Sequence, residues 1–222
     1  MPPIPILHAD DDLMVVIKPH GLLTIPGRTP DKADSLWTRL QNEHPRHDVR
    51  LVHRLDRDTA GLMVFALHPV AQANLGRQFE QRRVRKTYHA VLQGELSTDE
   101  GRIDAPLRKD WTQNDPPVYI IDPEKGKSAI TRYQVIWRKN GLTGVHLYPE
   151  TGRSHQLRVH MQSLGHPIFG DPIYGKPHPD HPLQLSAASL GLHQPTTGEF
   201  LQFHLPPAYQ TLIKHHENPI QP

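Results

Sequence analysis

The sequence predicts an α+β fold, a central mixed, mainly antiparallel sheet flanked by helices and loops. Three observations carry this. Apolar strand-like runs recur along the whole chain and outnumber the helical patterns. The two kinds do not alternate, which argues against a doubly wound parallel sheet. Turn residues punctuate the runs, with 23 prolines and 15 glycines among 222 residues. The hydrophobic fraction of 36% is low, but the apolar runs extend throughout, so the chain reads as loop-rich and not as disordered.

The elements follow in order. Ile6 to Lys18 reads as two short strands around the acidic break Asp10-Asp11-Asp12, and Pro19 and Gly21 end the second. Ser35 to Gln41 reads as a helix capped by Asp34 or Ser35, with Leu36 and Leu40 on one face. A polar stretch, Val52 to Gly61, precedes an apolar strand over Leu62–Leu67. Pro69 suits a first helical turn, and Ala71, Leu75 and Phe79 follow at i, i+4 and i+8. Thr87 to Leu92 returns as a strand. Residues 95–128 are polar and read as a surface excursion. Thr131–Trp137 and Gly144–Tyr148 form an expected antiparallel pair around Lys139-Asn140-Gly141. Arg153 to Leu164 looks helical, and Leu183–Leu192 and Phe200–Leu205 add strands. With neither repeat nor linker, the expectation is a single domain over residues 1–213 and a frayed tail over 214–222.

Composition excludes several classes. No cysteine is present, which removes disulfides, thiolate metal sites and cysteine nucleophiles. No stretch approaches the ~18 apolar residues of a membrane span, and the N-terminus lacks a basic leader, so the expected location is cytoplasmic. The net charge is only +2. The distribution says more: Arg77, Arg82, Arg83, Arg85 and Lys86 cluster against Glu80 alone. That pattern fits a solvated helix end and a phosphate-binding patch equally.

Four polar segments can carry chemistry. His53-Arg54-Leu55-Asp56-Arg57-Asp58 sets two carboxylates among cations before a buried strand; by composition it is a surface turn, a helix cap or a catalytic loop. In Thr151 to His160, Arg153 at a helix start beside a glycine can hold a carboxylate or phosphate bidentately. His155 and His160 lack the i, i+4 spacing and the following acid of a zinc helix, so no metal site is expected. Tyr88 in Lys86-Thr87-Tyr88-His89-Ala90 reads by itself as a packed strand residue. Gly165 to Gly175 reads by itself as a structural loop. Serine-elbow, P-loop and dinucleotide motifs do not occur.

In order and spacing these segments resemble the RluA-type family of pseudouridine synthases. HRLDRDTAGLMVFAL resembles that family's HRLDxxTSG signature. KPHGLL at Lys18–Leu23, KTYHAVLQG, and TGRSHQLRVHMQSLGHPIFGDPIYG resemble three further blocks, and the similarity runs over roughly residues 5–210. TIPGRTPDKADSLWTRLQNEHP resembles the family's short members, which act on tRNA anticodon stem-loops and large-subunit (23S-type) rRNA. Ala60 stands where the family usually has serine, and Ser186 where it usually has histidine.

The resemblance implies a pseudouridine-synthase fold and an isomerase that breaks the ribose C1′–N1 bond of uridine, rotates the base and rejoins it at C5, with no cofactor and no metal. It implies Asp56 as the catalytic carboxylate, Arg153 as its cationic partner, Tyr88 beside the uracil and Leu157 packed against the tyrosine. The target base must leave its stack. Arg54 and His53 are then candidates for the RNA-facing part of the loop, and Arg82, Arg83 and Lys86 for phosphate contacts. The partner is structured RNA; no membrane partner and a monomer are expected, and the extra N-terminal RNA-binding domain of some relatives is expected to be missing. Two other readings remain: a carboxylate-based nucleosidase or glycosidase, which needs a second acid such as Asp58 or Asp171, and a non-catalytic RNA-binding module.

Overall fold

A computed structural model of the protein describes residues 2–210; the expected frayed tail lies outside them. The elements in chain order are β1 (Ile6–Ala9), β2 (Leu13–Lys18), α1 (Leu36–Glu43), β3 (Arg50–Leu51), β4 (Ala60–Ala66), α2 (Pro69–Glu80), β5 (Arg85–Gln93), β6 (Glu100–Asp104), β7 (Leu107–Asn114), β8 (Pro117–Ile121), β9 (Ile130–Lys139), β10 (Leu142–Pro149), α3 (Gln156–Ser163), β11 (Leu185–His193) and β12 (Phe200–His204). Two compact units divide the chain. One runs through Lys86 and resumes over Ala187–Tyr209; the other is Thr87–Ser186.

In the first unit the strands run in the order β1-β2-β4-β11, with β3 on β4 and β12 on β11. The pairings β1–β2, β2–β4, β3–β4 and β11–β12 are antiparallel. β2 is buried at every position, which is why it reads as a continuous apolar run and not as an alternating one. Its core joins Leu13, Val15, Ile17, Leu62 and Val64 to Ala71 and Leu75 of α2. Helix α1 starts at a full capping box: the Ser35 hydroxyl accepts from Thr38 N–H, and the Thr38 hydroxyl accepts from Ser35 N–H. Gly61, at φ +108°, is the residue its position demands. A Cβ there would meet the carbonyl oxygen of Ala187 at 2.3 Å.

In the second unit the sheet order is β5-β10-β9-β6, and β7–β8 is a separate two-stranded sheet. The β9–β10 turn has Asn140 at φ 54° and Gly141 at φ 71°, the two positive values that the Asn-Gly pair predicts. The main core joins Ala90, Leu92, Val145, Leu147, Leu157 and Met161.

Two expectations need correction. Residues 95–128 contain three strands. In β6 and β7 the apolar anchors are sparse, chiefly Ile103 and Leu107, both buried, among charged and polar positions that mask the alternation; β8, Pro117–Ile121, is an apolar run whose Val118, Tyr119 and Ile121 pack on the Leu107 cluster. The third helix begins at Gln156 and not at Arg153. His155 sits at φ 55° as the N-cap. The Gln156 side-chain oxygen accepts from the Thr151 hydroxyl (2.7 Å) and from Arg153 N–H (3.0 Å), so the preceding residues form a turn. Arg153 therefore does not share a helical face with Leu157.

Candidate active site

In the first unit the loop between β3 and β4 carries Asp56, and its backbone is fixed on both sides. The Thr24 hydroxyl donates to Leu55 O (2.7 Å) and accepts from Leu55 N–H (3.3 Å). Thr59 N–H donates to Asp56 O (3.2 Å), closing a turn. Lys18 Nζ donates to Arg57 O (2.8 Å) and to Pro19 O (2.9 Å). Arg57 Nε reaches back to Gly21 O (3.2 Å), and His20 lies 3.9 Å from Asp58. The segment Lys18–Thr24 is thus the cradle of the Asp56 loop, and two sequence blocks become one piece of structure. Asp56 itself is half-buried and Arg54 is exposed.

Lys18 is wholly buried. Burial pushes its ammonium down to about 7, against the opposing charges of Asp58 and Asp56. Lys18 and Thr24 were not singled out by sequence. A lysine closing an otherwise apolar strand was the available signal for the first.

His53 serves the fold of this unit. Its ring stacks on Phe79 at 4.6 Å, and Nε2 accepts from Val64 N–H at 3.1 Å. Burial, with the Lys86 charge adding to it, pushes the imidazole down to about 3. A neutral ring is what an acceptor nitrogen requires.

The basic cluster projects from the end of α2. Val84 is buried in the core, while Arg77, Arg82, Arg83 and Arg85 are exposed. Arg82 adopts φ 57° at the turn. The Arg85 guanidinium lies 4.9 Å from the Phe200 ring centroid. Lys86 is half-buried, and burial, with the Arg82 charge adding to it, lowers its affinity for a proton.

In the second unit Tyr88 lies on β5 opposite Leu147 of β10 and is half-buried. It packs against the core cluster to which Leu157 belongs. Arg153 is exposed, and its Nε donates to Ser128 O (3.0 Å). The turn that carries it is tied down by Gln156, whose side-chain nitrogen donates to Ile130 O (2.9 Å) and to the Thr131 hydroxyl (3.0 Å).

Three further titratable groups of this unit are held by the fold. His160 Nε2 donates to Ala105 O (3.0 Å) while Nδ1 pairs with the Thr131 hydroxyl (2.9 Å), and burial lowers its proton affinity. His155 Nδ1 pairs with the Tyr174 hydroxyl at 2.8 Å. Asp171, one of the two acids a glycosidase would call on, is fully buried in a bidentate pair with Arg158 at 2.6 and 2.7 Å. It also accepts from Ile173 N–H (2.9 Å) and Tyr174 N–H (3.0 Å). A carboxylate held by four donors is a tether between α3 and the Gly165–Gly175 loop and not an acid poised over a sugar. No group of three or more His, Asp or Glu side chains among the described residues is placed to hold a metal ion, and no described helix is long and apolar enough to cross a membrane.

Comparison with known proteins shows the family. Residues 12–163 match the family described as RNA pseudouridylate synthase. The dual-specificity RNA pseudouridine synthase RluA of Yersinia pestis is 48% identical over 202 residues, covering 89% of this chain and 96% of that one. The same-named protein of Escherichia coli (strain K12) is 43% identical, covering 90% and 92%. Among solved structures, human RNA pseudouridylate synthase domain containing 4 aligns with a TM-score of 0.75 at 27% identity, covering 98% of this chain and 95% of that one. Its counterpart domain containing 1 gives 0.73 at 25%, covering 99% and 96%. A match of this breadth, over the blocks that build the Asp56 loop, the Tyr88 strand and the Arg153 turn, places the chain in the RluA-type pseudouridine synthase family, as an isomerase of uridine in RNA.

Proposed function

We propose that the protein converts uridine to pseudouridine in stem-loops of two RNA classes, tRNA and large-subunit rRNA, with Asp56 as the catalytic carboxylate. One observation carries the assignment. Asp56 is the half-buried acid of a loop whose backbone is pinned on either side, by the Thr24 hydroxyl at Leu55 and by the buried Lys18 at Arg57. A carboxylate that must meet one ribose carbon needs a fixed backbone, because misplacement by about 1 Å costs orders of magnitude in rate.

Asp56 acts at the ribose, as nucleophile at C1′ or as the group that helps remove a ribose proton. The C1′–N1 bond breaks, the base turns, and C1′ bonds to C5. The C5 proton is lost and N1 gains one, so the RNA mass is unchanged. Tyr88 and Arg153 carry the supporting roles that the family resemblance gives them. Arg54, exposed two residues before Asp56, is suited to fill the stack that the flipped base leaves. His53, with its ring engaged by Val64 and Phe79, positions this loop. The cytoplasm, where both RNA classes reside, is the proposed location.

The test is Asp56→Asn. Tritium release from C5-labelled RNA falls to background while RNA binding stays within about three-fold, since a charge is removed without a change of shape. Substantial residual turnover rejects the assignment. Intact-mass measurement of the product RNA separates isomerisation from nucleosidase action, which releases uracil. Pseudouridine mapping of cellular RNA with and without the gene reads the substrates: the proposal requires losses in both tRNA and large-subunit rRNA.

A further inference from the structure

Trp111 is 70% exposed, the most exposed aromatic side chain among the described large hydrophobics. A single exposed apolar side chain is ordinary; what marks Trp111 is that a cation stands beside its exposed ring. Trp111 stands on β7, in the two-stranded sheet apart from the main one. The local geometry holds it outward. Asp110 Oδ1 accepts from both the backbone N–H (3.0 Å) and the hydroxyl (2.7 Å) of Thr112, and the β7–β8 register is interrupted between Asp110 and Asn114. Lys109, two residues earlier on the strand, lies with Nζ 4.7 Å from the indole centroid.

The root of the hairpin is joined to the turn that carries Arg153. Leu107 and Lys127 exchange backbone hydrogen bonds at 2.9 and 2.8 Å, and the next residue, Ser128, provides the carbonyl that accepts from Arg153 Nε. Tyr119 N–H on β8 donates to the Tyr174 hydroxyl, which also pairs with His155, two residues after Arg153. Trp111 is four residues from Leu107, so it sits roughly 13 Å along the strand from that root. That is the rise of about four stacked nucleotides.

We propose that Trp111, with Lys109 beside it, is an RNA-contact site that stacks an unpaired nucleotide of the substrate away from the target uridine. The inference rests on the RNA-directed reaction above and names a part of the surface that recognises the RNA. The chemistry selects this occupant. An indole offers a π-face to any base, and the adjacent ammonium offers a charge to its phosphate, the combination that single-stranded RNA binds. A protein partner needs a contiguous apolar patch, whereas the neighbours Thr112 and Gln113 are exposed and polar. One ring matches one base.

The experiment uses the full chain and an RNA transcript that the wild type modifies. Trp111→Ala raises KM, and weakens binding in a fluorescence-quenching titration, by about 5- to 150-fold, the range measured for loss of a stacked base. The rate constant kcat stays within about two-fold, because the contact is remote from the chemistry. Trp111→Phe retains most of the affinity but loses the quenching component that the wild type shows. Substitution at so exposed a position leaves the fold intact, checked by an unchanged Tm. A KM and an affinity for Trp111→Ala within about two-fold of wild type overturn the proposal. So does a change in sedimentation mass without a change in affinity, which makes the ring a contact between copies. Should the wild type form no pseudouridine in any transcript, the catalytic assignment fails instead, and the quenching titration alone decides the stacking.

Discussion

At the scale of single residues, the buried lysine beneath the Asp56 loop is the most consequential side chain outside the expected set. Lys18 donates to two carbonyls, Pro19 and Arg57, and a neutral amine has two protons with which to do so. Lysine in an unfolded chain titrates near 10.4; here burial brings it to about 7. Between those values the unfolded chain holds the extra proton. Stability therefore rises with pH across that window, with a slope of up to ~1.4 kcal/mol per pH unit, and the full cost of the buried charge is present below it. Lys18→Met lacks this ionisation. The difference in unfolding free energy between wild type and variant is expected to move in favour of wild type as pH is raised from about 7 to about 10. Urea titrations of both proteins across that range check it, and a difference that stays flat with pH rules it out. The variant also frees the Arg57 carbonyl, so kcat is expected to fall with little change in RNA affinity.

At the scale of elements, α3 is held by a buried charge pair. The Arg158–Asp171 pair joins the helix to the Gly165–Gly175 loop, with both side chains essentially sealed from water. Burial pushes the Asp171 carboxyl up; the Arg158 hydrogen bonds and charge, with the two backbone donors, outweigh it and hold it low. Removing one partner strands the other. Arg158→Met is expected to cost about 3–5 kcal/mol, and pairing it with Asp171→Asn to recover part of that, because a neutral amide oxygen still accepts from Ile173 and Tyr174. Equal denaturation midpoints for the single and double variants would refute a charge-pair tether. Elements with local signals were legible in the sequence: the capped start of α1, the Pro69 start and Ala71/Leu75 stripe of α2, and the Asn140-Gly141 hairpin. Elements fixed by tertiary contacts were not. The start of α3 depends on the Gln156 side chain reaching residues 25 and 26 positions away, and β6–β8 are strands because β9 and the Leu107 core receive them. The same divide runs through the candidate residues. Asp56, Tyr88 and Arg153 were legible as motif residues, whereas Lys18 and Thr24 were not, since their roles exist only once Thr24 meets Leu55 and Lys18 meets Arg57.

At the scale of the whole molecule, a net charge of +2 is too small to draw RNA by itself, so binding must depend on where the cations stand. The structure separates those of the α2–β5 corner. Arg82 and Arg83 are exposed, Arg85 lies against Phe200, and Lys86 is half-buried with a reduced hold on its proton. The first two are the ones free to neutralise phosphates. Each phosphate contact releases counterions, which steepens the fall of log affinity against log salt by roughly 0.7–0.9. Replacing Arg82 and Arg83 together by alanine is therefore expected to flatten that slope by roughly 1.4–1.8 and to weaken binding alike for substrate and non-substrate RNA, with kcat at saturating RNA unchanged. Lys86→Ala, which removes a half-buried side chain and not an exposed one, is expected to flatten it less. Binding isotherms at several salt concentrations separate the outcomes. A slope unchanged in the double variant makes the corner a solvated helix end, and a loss confined to substrate RNA makes these arginines readers of shape instead of holders of phosphate.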